Sequence, residues 1–265
     1  MLGPSPSPRA AGAPPLVGRS NRVTCAIVAY NEADRVERAI RSVADLVDET
    51  LVVDSGSTDE TVALCERLGA RVILHPWGGF GPQKRFAEEA ASYDWILSLD
   101  ADEWLTEESR AELAAILAAP LPPTRCFRVR VRVVYPRRET PAPFAHYHKY
   151  VRLYNRTTAR FRDSLTHDVV DPTVDVVQLN GDILHKSYRD FAHIVTKTVR
   201  YYRMQREEGI EPSHAGSLRL FTEFPYQFFR YYFIRRHIFG GADGFAYATA
   251  LSIGRWVRIF ILRGW

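Results

Sequence analysis

The chain has 265 residues, of which 46% are hydrophobic and 25% charged, and its formal net charge at pH 7 is +4. This composition is typical of a globular protein with one large domain and an appendage, and it excludes a strongly basic arm for nucleic acid. The three cysteines, Cys25, Cys65 and Cys126, lie far apart and lack the spacing of a metal site or a disulfide framework. They indicate a reducing compartment.

The first 21 residues are rich in Pro, Ala, Gly and Ser and contain no apolar core of signal-peptide length. They are therefore predicted to form a disordered leader. No uninterrupted run of 18 apolar residues occurs in the chain, so no transmembrane helix is predicted.

The first half of the chain alternates apolar strand patterns with helical patterns. The predicted strands are Val23–Ala29, Thr50–Val53, Arg71–Leu74 and Trp95–Leu99. The predicted helices are Glu32–Ala44, Thr58–Leu68, Pro82–Ala91 and Thr106–Leu117, and a capping-box pattern from Ser57 to Glu60 opens the second of them. This alternation predicts βαβ units and an α/β fold with a mostly parallel sheet. Right-handed crossovers should then bring the loops after the first, second and fourth strands to a single crevice.

The second half of the chain has a different pattern. The predicted strands there are Cys126–Tyr135, Tyr150–Tyr154 and Val174–Leu179, and a long helix is predicted at Arg189–Glu208. A domain boundary is predicted near residue 210, where Gly209 and Pro212 interrupt the helical pattern. An aromatic and basic tail follows from residue 217 to the end of the chain.

The loop after the fourth strand carries Asp100 and Asp102. Alternate residues of an extended segment face the same side, so the two carboxylates can converge on one point. Carboxylates held in this way bind a hard cation such as Mg²⁺ or Mn²⁺, which keeps positions open for phosphate oxygens. The alternative is a solvated acidic turn ahead of the helix that starts near Thr106.

The loops after the first two strands also carry polar groups. The first loop consists of Ala29, Tyr30, Asn31 and Glu32, and its backbone N–H groups and two polar side chains can hold a base or a ribose. The alternative for Asn31 is plain helix capping. In the second loop, Asp54 can accept hydrogen bonds from a uracil N–H or from ribose hydroxyls. Three acidic loops on one crevice repel one another unless a cation and ligand polar groups absorb the charge, which favours a ligand site.

The segment from Gly78 to Gly81 comes just before Lys84 and Arg85. It allows two interpretations, a flexible loop on the phosphate side of a ligand or a simple turn. Lys84 or Arg85 can pair with a diphosphate, or both can lie on a solvated helix face. The glycine spacing matches neither a Rossmann nor a Walker pattern.

Three segments, Thr24–Glu32, Leu51–Asp59 and Leu97–Glu103, resemble the family 2 glycosyltransferases of the GT-A fold in order, spacing and strand context. The chain is similar in particular to the bacterial lipopolysaccharide-core β-1,4-glucosyltransferase group. The shared features are the short length, the Ser-Gly-Ser-Thr-Asp motif, the Gly-Phe-Gly-x-Gln-Lys stretch and the Phe-Phe-Arg-Tyr-Tyr tail. The resemblance extends over residues 22 to 260 and is strongest up to residue 117.

This resemblance implies a Rossmann-like sheet with flanking helices, a nucleotide-sugar donor that is often UDP-linked, and a divalent metal ion. The residues that it implies in nucleotide binding are Tyr30, Asn31, Glu32, Asp54 and Lys84. Asp100 would contact ribose or the metal, and Asp102 would bind the metal at the diphosphate. His185 matches the family pattern as well and would contact the diphosphate or cap a helix, and the alternative is a purely structural role.

Inverting transfer of a sugar requires one general base to deprotonate the acceptor hydroxyl. The best candidate is Asp168. Members of the similar group carry a His-Glu pair at this place, and this chain carries the pair His167-Asp168. The shorter side chain retracts the carboxylate by one methylene. His167 would orient this carboxylate or contact phosphate, and the alternative is a polar pair in a loop. Asp163 and Asp171 are the competing bases.

The tail combines many aromatic residues between Phe221 and Phe239 with interleaved arginines. The stretch Phe245–Leu262 is apolar except for Arg255 and Arg258. Aromatic and cationic residues at helical spacing are typical of a membrane interface with anionic lipid. The alternative is a helix that packs on the catalytic domain with its arginines exposed.

The sequence therefore predicts a disordered leader at 1–21, a GT-A catalytic domain at 22–210 and a helical membrane-surface segment at 211–265. Within the catalytic domain, 22–117 would bind the nucleotide-sugar and 118–210 the acceptor. The expected reaction is metal-dependent inverting transfer of glucose or another hexose to a lipid-linked glycan or lipopolysaccharide core. The expected location is cytoplasmic, peripheral on the inner face of the cell membrane, with no nucleic-acid partner.

Three other functions fit these sequence features less well. A sugar nucleotidyltransferase normally has a Gly-rich, basic loop after its first strand, where this chain has Tyr30, Asn31 and Glu32. An Asp-x-Asp phosphatase carries its acidic pair after the first strand, whereas here the pair follows the fourth. A non-catalytic membrane-docking module would bind neither metal nor donor.

Overall fold

The computed structural model describes residues 21–165, 169–172, 175–207, 209 and 218–263. The strands in this part are β1 Val23–Ala29, β2 Glu49–Asp54, β3 Arg71–Leu74, β4 Trp95–Asp100, β5 Glu103–Leu105, β6 Arg125–Val133, β7 Tyr147–Asn155, β8 Ala159–Phe161, β9 Val170–Pro172 and β10 Asp175–His185. The α-helices are α1 Val36–Arg41, α2 Thr61–Arg67, α3 Phe80–Ala90, α4 Glu107–Ala118, α5 Phe191–Glu207, α6 Leu218–Phe229 and α7 Gly241–Arg263. A π-helical turn, Arg230–Ile234, and a 3₁₀ turn, His237–Gly240, lie between α6 and α7. Residues 1–20 of the predicted leader lie outside the described part of the chain.

Eight strands form one sheet in the order β3-β2-β1-β4-β7-β6-β10-β5. Strands β3, β2, β1 and β4 run parallel to one another, β7 is antiparallel to β4, and β5 is antiparallel to β10. A small separate sheet pairs β8 with β9. The parallel half and its flanking helices confirm the predicted α/β fold of the GT-A type.

The parallel strands are buried on both faces. In β1, Val23, Cys25 and Ile27 belong to one apolar cluster, which includes residues of α1 and α4, while Ala26 belongs to a second cluster that includes Ala87 of α3. Strands covered by helices on both faces read as continuous apolar runs rather than as alternating patterns. This is why β1 and β4 could be recognised from sequence.

Two predicted features of the first half are wrong. The first helix is only Val36–Arg41, because the residues ahead of it form a turn that contacts the second loop. The predicted capping box does not form: α2 begins at Thr61, and the Ser57 side chain hydrogen-bonds Asp54 instead of capping the helix. Strands β5, β8 and β9 were not predicted, and β10 is longer than the predicted strand at its C-terminal end.

The residue contacts group the chain into two compact units. The first unit comprises the chain up to Val131 together with His148–His185, and the second comprises Arg132–Tyr147 and Lys186–Trp265. Helices α5, α6 and α7 belong to the second unit, where α7 packs against both of the others. The predicted domain boundaries stay predictions.

The described residues include one helical stretch, His237–Arg263, that is long and apolar enough to cross a membrane. An 18-residue window of it has a mean hydropathy of 1.3, and 39% of that window is buried inside the protein. Core helices can meet the same criteria, so the absence of a transmembrane helix stays a prediction.

Candidate functional site

The carboxyl ends of three parallel strands lie side by side. The strand register aligns Ala29 with Asp54 and Val28 with Asp100, so the loops after β1, β2 and β4 leave the sheet at one level. This confirms the expectation that the three loops share one edge of the sheet, where α/β proteins bind their ligands.

Hydrogen bonds hold the first and second loops together. Asn31 has the left-handed φ of +55°, its N–H donates to Ser57 Oγ at 2.8 Å, and its Oδ1 accepts from the N–H of Thr58 at 2.8 Å. The N–H of Glu32 donates to Thr61 Oγ1 at 2.8 Å. The alternative of helix capping by Asn31 is wrong, since its side chain bonds the second loop and α1 begins at Val36. The loop is thus held rigidly, with Tyr30 exposed on it.

Asp54, at the end of β2, is fully buried. Its Oδ1 accepts hydrogen bonds from the N–H groups of Gly56 at 2.9 Å and Ser57 at 2.7 Å, and its Oδ2 accepts from the Ser57 hydroxyl. These bonds shape the second loop from within. A contact between Asp54 and a nucleotide stays a prediction.

An acidic cluster with one histidine lies at the end of β4. Asp100 is the last residue of β4 and His185 is the last residue of β10. Together with Asp102 they place one ligand atom each within 4.8 Å of one another. The antiparallel pairing of β5 with β10, which aligns His185 with Glu103, brings the histidine to this position. Carboxylate oxygens and an imidazole nitrogen are groups that bind divalent cations, so this cluster is the candidate metal site.

Cationic side chains surround this acidic cluster. The buried Lys84 places Nζ 2.6 Å from Asp100 Oδ1, and Arg152 lies 3.8 Å from the other oxygen of the same carboxylate. Arg152 also forms a buried ion pair with Glu103, and Arg35 lies 3.8 Å from Asp102. Lys84 was predicted to bind a nucleotide. The structure places its ammonium group beside Asp100, a carboxylate that would also bind the metal.

Sequence reasoning missed Glu103, Arg152 and Arg35. The N–H of Asp100 donates to Glu103 Oε2 at 3.2 Å, so Glu103 supports the end of β4 directly. A usable signal existed for Arg152, because a charged residue in the middle of a predicted apolar strand requires a partner when it is buried. For Glu103 the signal was its position directly after the acidic pair.

The pKa values of the cluster follow from burial opposed by these partners. Burial raises the pKa of Glu103 to about 6, although Arg152 opposes the rise. Burial also raises the pKa of Asp100, but the charges of Lys84 and Arg152 outweigh it and the net pKa is lowered. Burial lowers the pKa of His185, and the adjacent Asp102 carboxylate, 3.1 Å from Nε2, outweighs that effect and raises it. The two cations therefore favour the ionised form of Asp100.

The N-terminus of α3 binds a backbone segment of the second half of the chain. The N–H of Phe80 donates to the carbonyl of Leu165 at 3.0 Å, and the N–H of Gly81 donates to the carbonyl of Ser164 at 2.9 Å. A Cβ on Gly81 would lie 2.6 Å from the Ser164 oxygen and closer still to the carbonyl oxygen of Arg162. The glycine therefore permits this close approach, and a contact between the segment Gly78–Gly81 and a phosphate stays a prediction.

The predicted base and its neighbour, Asp168 and His167, lie outside the described residues. The supported segment, which ends at Leu165, leads into them. Of the competing bases, Asp163 is exposed, and Asp171 is exposed and paired with Arg162 at 3.0 Å. The assignment of the base stays a prediction.

Comparison with known proteins identifies the family of this chain. Residues 24–173 match the family described as "Glycosyl transferase family 2". The chain is similar to an "Uncharacterized glycosyltransferase" of Rickettsia felis, with 37% identity over 253 residues that cover 91% of this chain and 89% of the relative. It is also similar to "Uncharacterized glycosyltransferase RC0292" of Rickettsia conorii, with 36% identity over 92% of this chain and 90% of the relative.

Among solved structures, one match is S. aureus TarS 1-349 in complex with UDP-GlcNAc, with 14% identity, a TM-score of 0.46, and coverage of 91% of this chain and 81% of that chain. The family match, together with the α/β fold, places the chain among the sugar-transferring enzymes of the GT-A type. The chain belongs to glycosyl transferase family 2.

Proposed function

We propose that the protein is a metal-dependent, inverting glycosyltransferase that moves glucose or another hexose from a UDP-linked donor to a lipid-linked glycan or lipopolysaccharide-core acceptor. The observation that carries the proposal is the cluster of Asp100, Asp102 and His185 at the end of β4, within 4.8 Å of one another. It lies beside the loops after β1 and β2, as a site for a nucleoside diphosphate requires.

The residues present fit a divalent metal ion. Carboxylate oxygens are the preferred ligands of Mg²⁺ and Mn²⁺, and Asp100 and Asp102 supply them. When bound, such an ion would neutralise the charge that grows on the leaving diphosphate. His185 would be a third ligand or would keep Asp102 in position through its contact of 3.1 Å.

The chain's own residues prepare the donor site. The hydrogen bonds between Asn31 and the second loop, together with the three that Asp54 accepts, fix the two loops that would contact the nucleoside. Tyr30 is exposed and available to contact a base. Fixed loops lower the entropy cost of holding a ligand, which supports a binding role for this edge.

We assign the general base to Asp168, which would remove the proton of the acceptor hydroxyl as its oxygen attacks the anomeric carbon. The support given to residues 162–165 by the N-terminus of α3 favours this assignment, since it would limit the movement of the residues that follow. His167 would orient the carboxylate.

The proposed acceptor and location come from the sequence motifs shared with the lipopolysaccharide-core glucosyltransferase group. A lipid-linked acceptor presents its sugar at a membrane surface. We therefore place the enzyme on the cytoplasmic face of the cell membrane, where nucleotide-sugars are available.

The decisive experiment is calorimetric titration of UDP into the purified protein, with and without Mn²⁺. Asp102→Asn keeps the shape of the side chain but removes its charge, and Asp94→Asn is a matched control because Asp94 is an exposed carboxylate that pairs with Arg156. We expect metal-dependent UDP binding in the wild-type protein and in the control, and a loss of that metal dependence in Asp102→Asn.

The outcomes separate the competing functions. Binding of UDP that does not respond to Mn²⁺ would refute the metal site, and no binding of UDP under any condition would refute the UDP-linked donor. A protein that binds neither nucleotide nor metal would be the non-catalytic docking module. After positive binding, release of UDP from UDP-sugars in the presence of candidate acceptors identifies the sugar.

A further inference from the structure

Helix α6 is inverted in polarity. Three of its five aromatic side chains face outwards, with Phe221, Tyr226 and Phe229 exposed by 79%, 60% and 54%. Its polar side chains Glu223 and Gln227 face inwards and are exposed by only 6% and 5%. A helix on the surface of a water-soluble protein normally has the opposite arrangement.

The inward polar side chains form a hydrogen-bonded row. Glu223 accepts from Arg219 Nε at 2.7 Å and from Gln227 Nε2 at 2.9 Å. These residues are spaced four apart and so lie on one side of α6. Glu223 is thus hydrogen-bonded on the buried side of α6, and the exposed side carries Phe221, Tyr226 and Phe229 together with Thr222 and Pro225.

Helix α7 shows the same preference for inward polar groups. Arg255 Nε donates to the hydroxyl of Tyr231 at 3.2 Å, and the Arg258 guanidinium lies 5.4 Å from the centre of the Tyr202 ring. Both arginines therefore interact with aromatic groups of neighbouring elements. Phe245, at the start of α7, is exposed by contrast.

The outward aromatic surface continues past the end of α6. The rings of Phe229 and Phe233 lie 5.2 Å apart, and Phe245 lies 5.8 Å from Tyr232, which in turn contacts Phe233 at 5.1 Å. The exposed residues of this surface, here called the aromatic face, are Phe221, Tyr226, Phe229, Phe233, Ile234 and Phe245. Contiguous exposed apolar side chains of this size mark a binding surface.

The charge of the same segment favours an anionic partner. Residues 218–263 contain seven arginines but only two acidic residues. Both acidic residues are paired, Glu223 with Arg219 and Asp243 with Arg138 at 2.8 Å. A second copy of this chain would bring an equally positive segment against the first, so like charges oppose self-association through this surface.

We propose that the aromatic face docks in the headgroup region of an anionic lipid bilayer, with its rings at the boundary of the acyl chains and with Arg230 and Arg236 near the lipid phosphates. The protein would lie on the membrane without crossing it. Arg255 and Arg258 argue against a spanning α7, because they would have to be held within hydrocarbon. The docking surface supports the proposed location but rests on its own observations, whichever reaction the protein catalyses.

The test is flotation of the purified full-length protein with vesicles of phosphatidylcholine alone and of phosphatidylcholine mixed with phosphatidylglycerol. The variant Phe229→Ser/Phe233→Ser removes two rings from the aromatic face. Leu74→Ser, on the edge strand β3, is the matched control, since Leu74 is 68% exposed but lies in the first unit. We expect the double variant to bind anionic vesicles about tenfold or more weakly, and the control to bind like the wild-type protein.

A second variant keeps the test valid if the first one fails to fold. Arg230→Gln/Arg236→Gln should reduce the preference for phosphatidylglycerol and the sensitivity of binding to salt, while leaving the aromatic face intact. Manganese-dependent UDP binding, measured on the same samples, should be unchanged in every variant. Loss of vesicle binding with intact UDP binding would therefore concern the docking surface alone.

Three results would overturn the proposal. The first is a wild-type protein that binds neither kind of vesicle. The second is a wild-type protein that is dimeric in solution together with a Phe229→Ser/Phe233→Ser variant that is monomeric. This result would assign the aromatic face to contact with a second copy of the chain. The third is protein that alkaline carbonate does not release from vesicles, which would indicate a spanning helix.

Discussion

Replacement of Gly81 by alanine tests whether the N-terminus of α3 positions the segment that leads into Asp168. The new Cβ would lie 2.6 Å from the Ser164 carbonyl oxygen and 2.7 Å from its nitrogen, and the Arg162 oxygen would be closer still. These neighbours are backbone atoms, so no side-chain rotation can relieve the contact. The segment 162–165 would have to move away by about 1 Å to reach ordinary van der Waals distance.

The energetic cost can be estimated from the bonds at stake. Overpacking of a close contact costs about 1–3 kcal/mol. The two backbone hydrogen bonds from Phe80 and Gly81 contribute about 1 kcal/mol each. Alanine is favoured over glycine inside a helix by about 1 kcal/mol, which offsets part of the loss. We therefore expect Gly81→Ala to lower the free energy of unfolding by about 2–4 kcal/mol.

The effect on catalysis should exceed the effect on donor binding. A displacement of about 1 Å in a positioning element can lower a rate by about a hundredfold. The three atoms nearest to a Cβ on Gly81 belong to Arg162 and Ser164 and not to the donor loops, so we expect a fall in kcat of that order with little change in manganese-dependent UDP binding. Urea unfolding, calorimetry and steady-state release of UDP measure the three quantities.

Gly78→Ala is the matched control. A Cβ at Gly78 would have Pro82 Cβ as its nearest neighbour at 3.7 Å, which is an ordinary contact. This variant should have the stability and the kcat of the wild-type protein. If Gly81→Ala proved as stable and as active as Gly78→Ala, the argument that the close approach needs glycine would be refuted.

Two further predictions concern the first loop and the second unit. In urea unfolding, Asn31→Ala should lower the free energy of unfolding by about 1 kcal/mol more than Asn31→Gly. Both substitutions remove the hydrogen bond to Thr58, but only alanine is strained at a φ of +55°. Equal losses of stability in the two variants would contradict this prediction. Burial lowers the pKa of His237 to about 4, against 6.5 for the unfolded chain, so the unfolded chain binds more protons between these pH values. Stability should therefore fall by up to about 3 kcal/mol as the pH drops from 6.5 to 4, and His237→Gln should remove this component in melts across that range; an unchanged pH dependence would count against it.

The parallel half of the fold could be predicted because its signals are local. A strand such as β4 is covered on both faces and reads as a continuous apolar run, and its carboxyl end then places Asp100 beside the ends of β1 and β2. The boundaries were less predictable. The first helix is shorter than its apolar spacing suggested, because Asn31 and Glu32 bond to the second loop, and no local pattern reports that contact.

The rest of the site depends on contacts between strands that lie far apart in the sequence. His185 reaches the acidic pair only because β10 pairs with β5, a three-residue strand too short to recognise from sequence. Arg152 reaches Glu103 from β7, the strand next to β4 in the sheet. The His185 sequence context matched the family pattern, but its place among the candidate metal ligands could be seen only in the structure.

Composition predicted an aromatic and basic tail but not the orientation of its helices. Burying the apolar side of α6 would have placed Phe221 and Tyr226 inside the protein. The structure instead buries Glu223 and Gln227 and exposes the rings. Periodicity identifies the two sides of a helix, whereas the surroundings of the protein decide which side faces outwards.

The structure also changes the electrostatic argument made for the crevice. Repulsion among the acidic loops suggested that a bound cation was needed, yet the chain supplies its own partners: backbone N–H groups for Asp54, and Lys84 and Arg152 for Asp100. The cluster can therefore assemble before any ion binds. A preassembled set of ligands loses little conformational entropy on binding a metal. The positive charges of Lys84 and Arg152 oppose that gain, so an incoming cation has to displace the contact between Lys84 and Asp100 before the carboxylate can bind it.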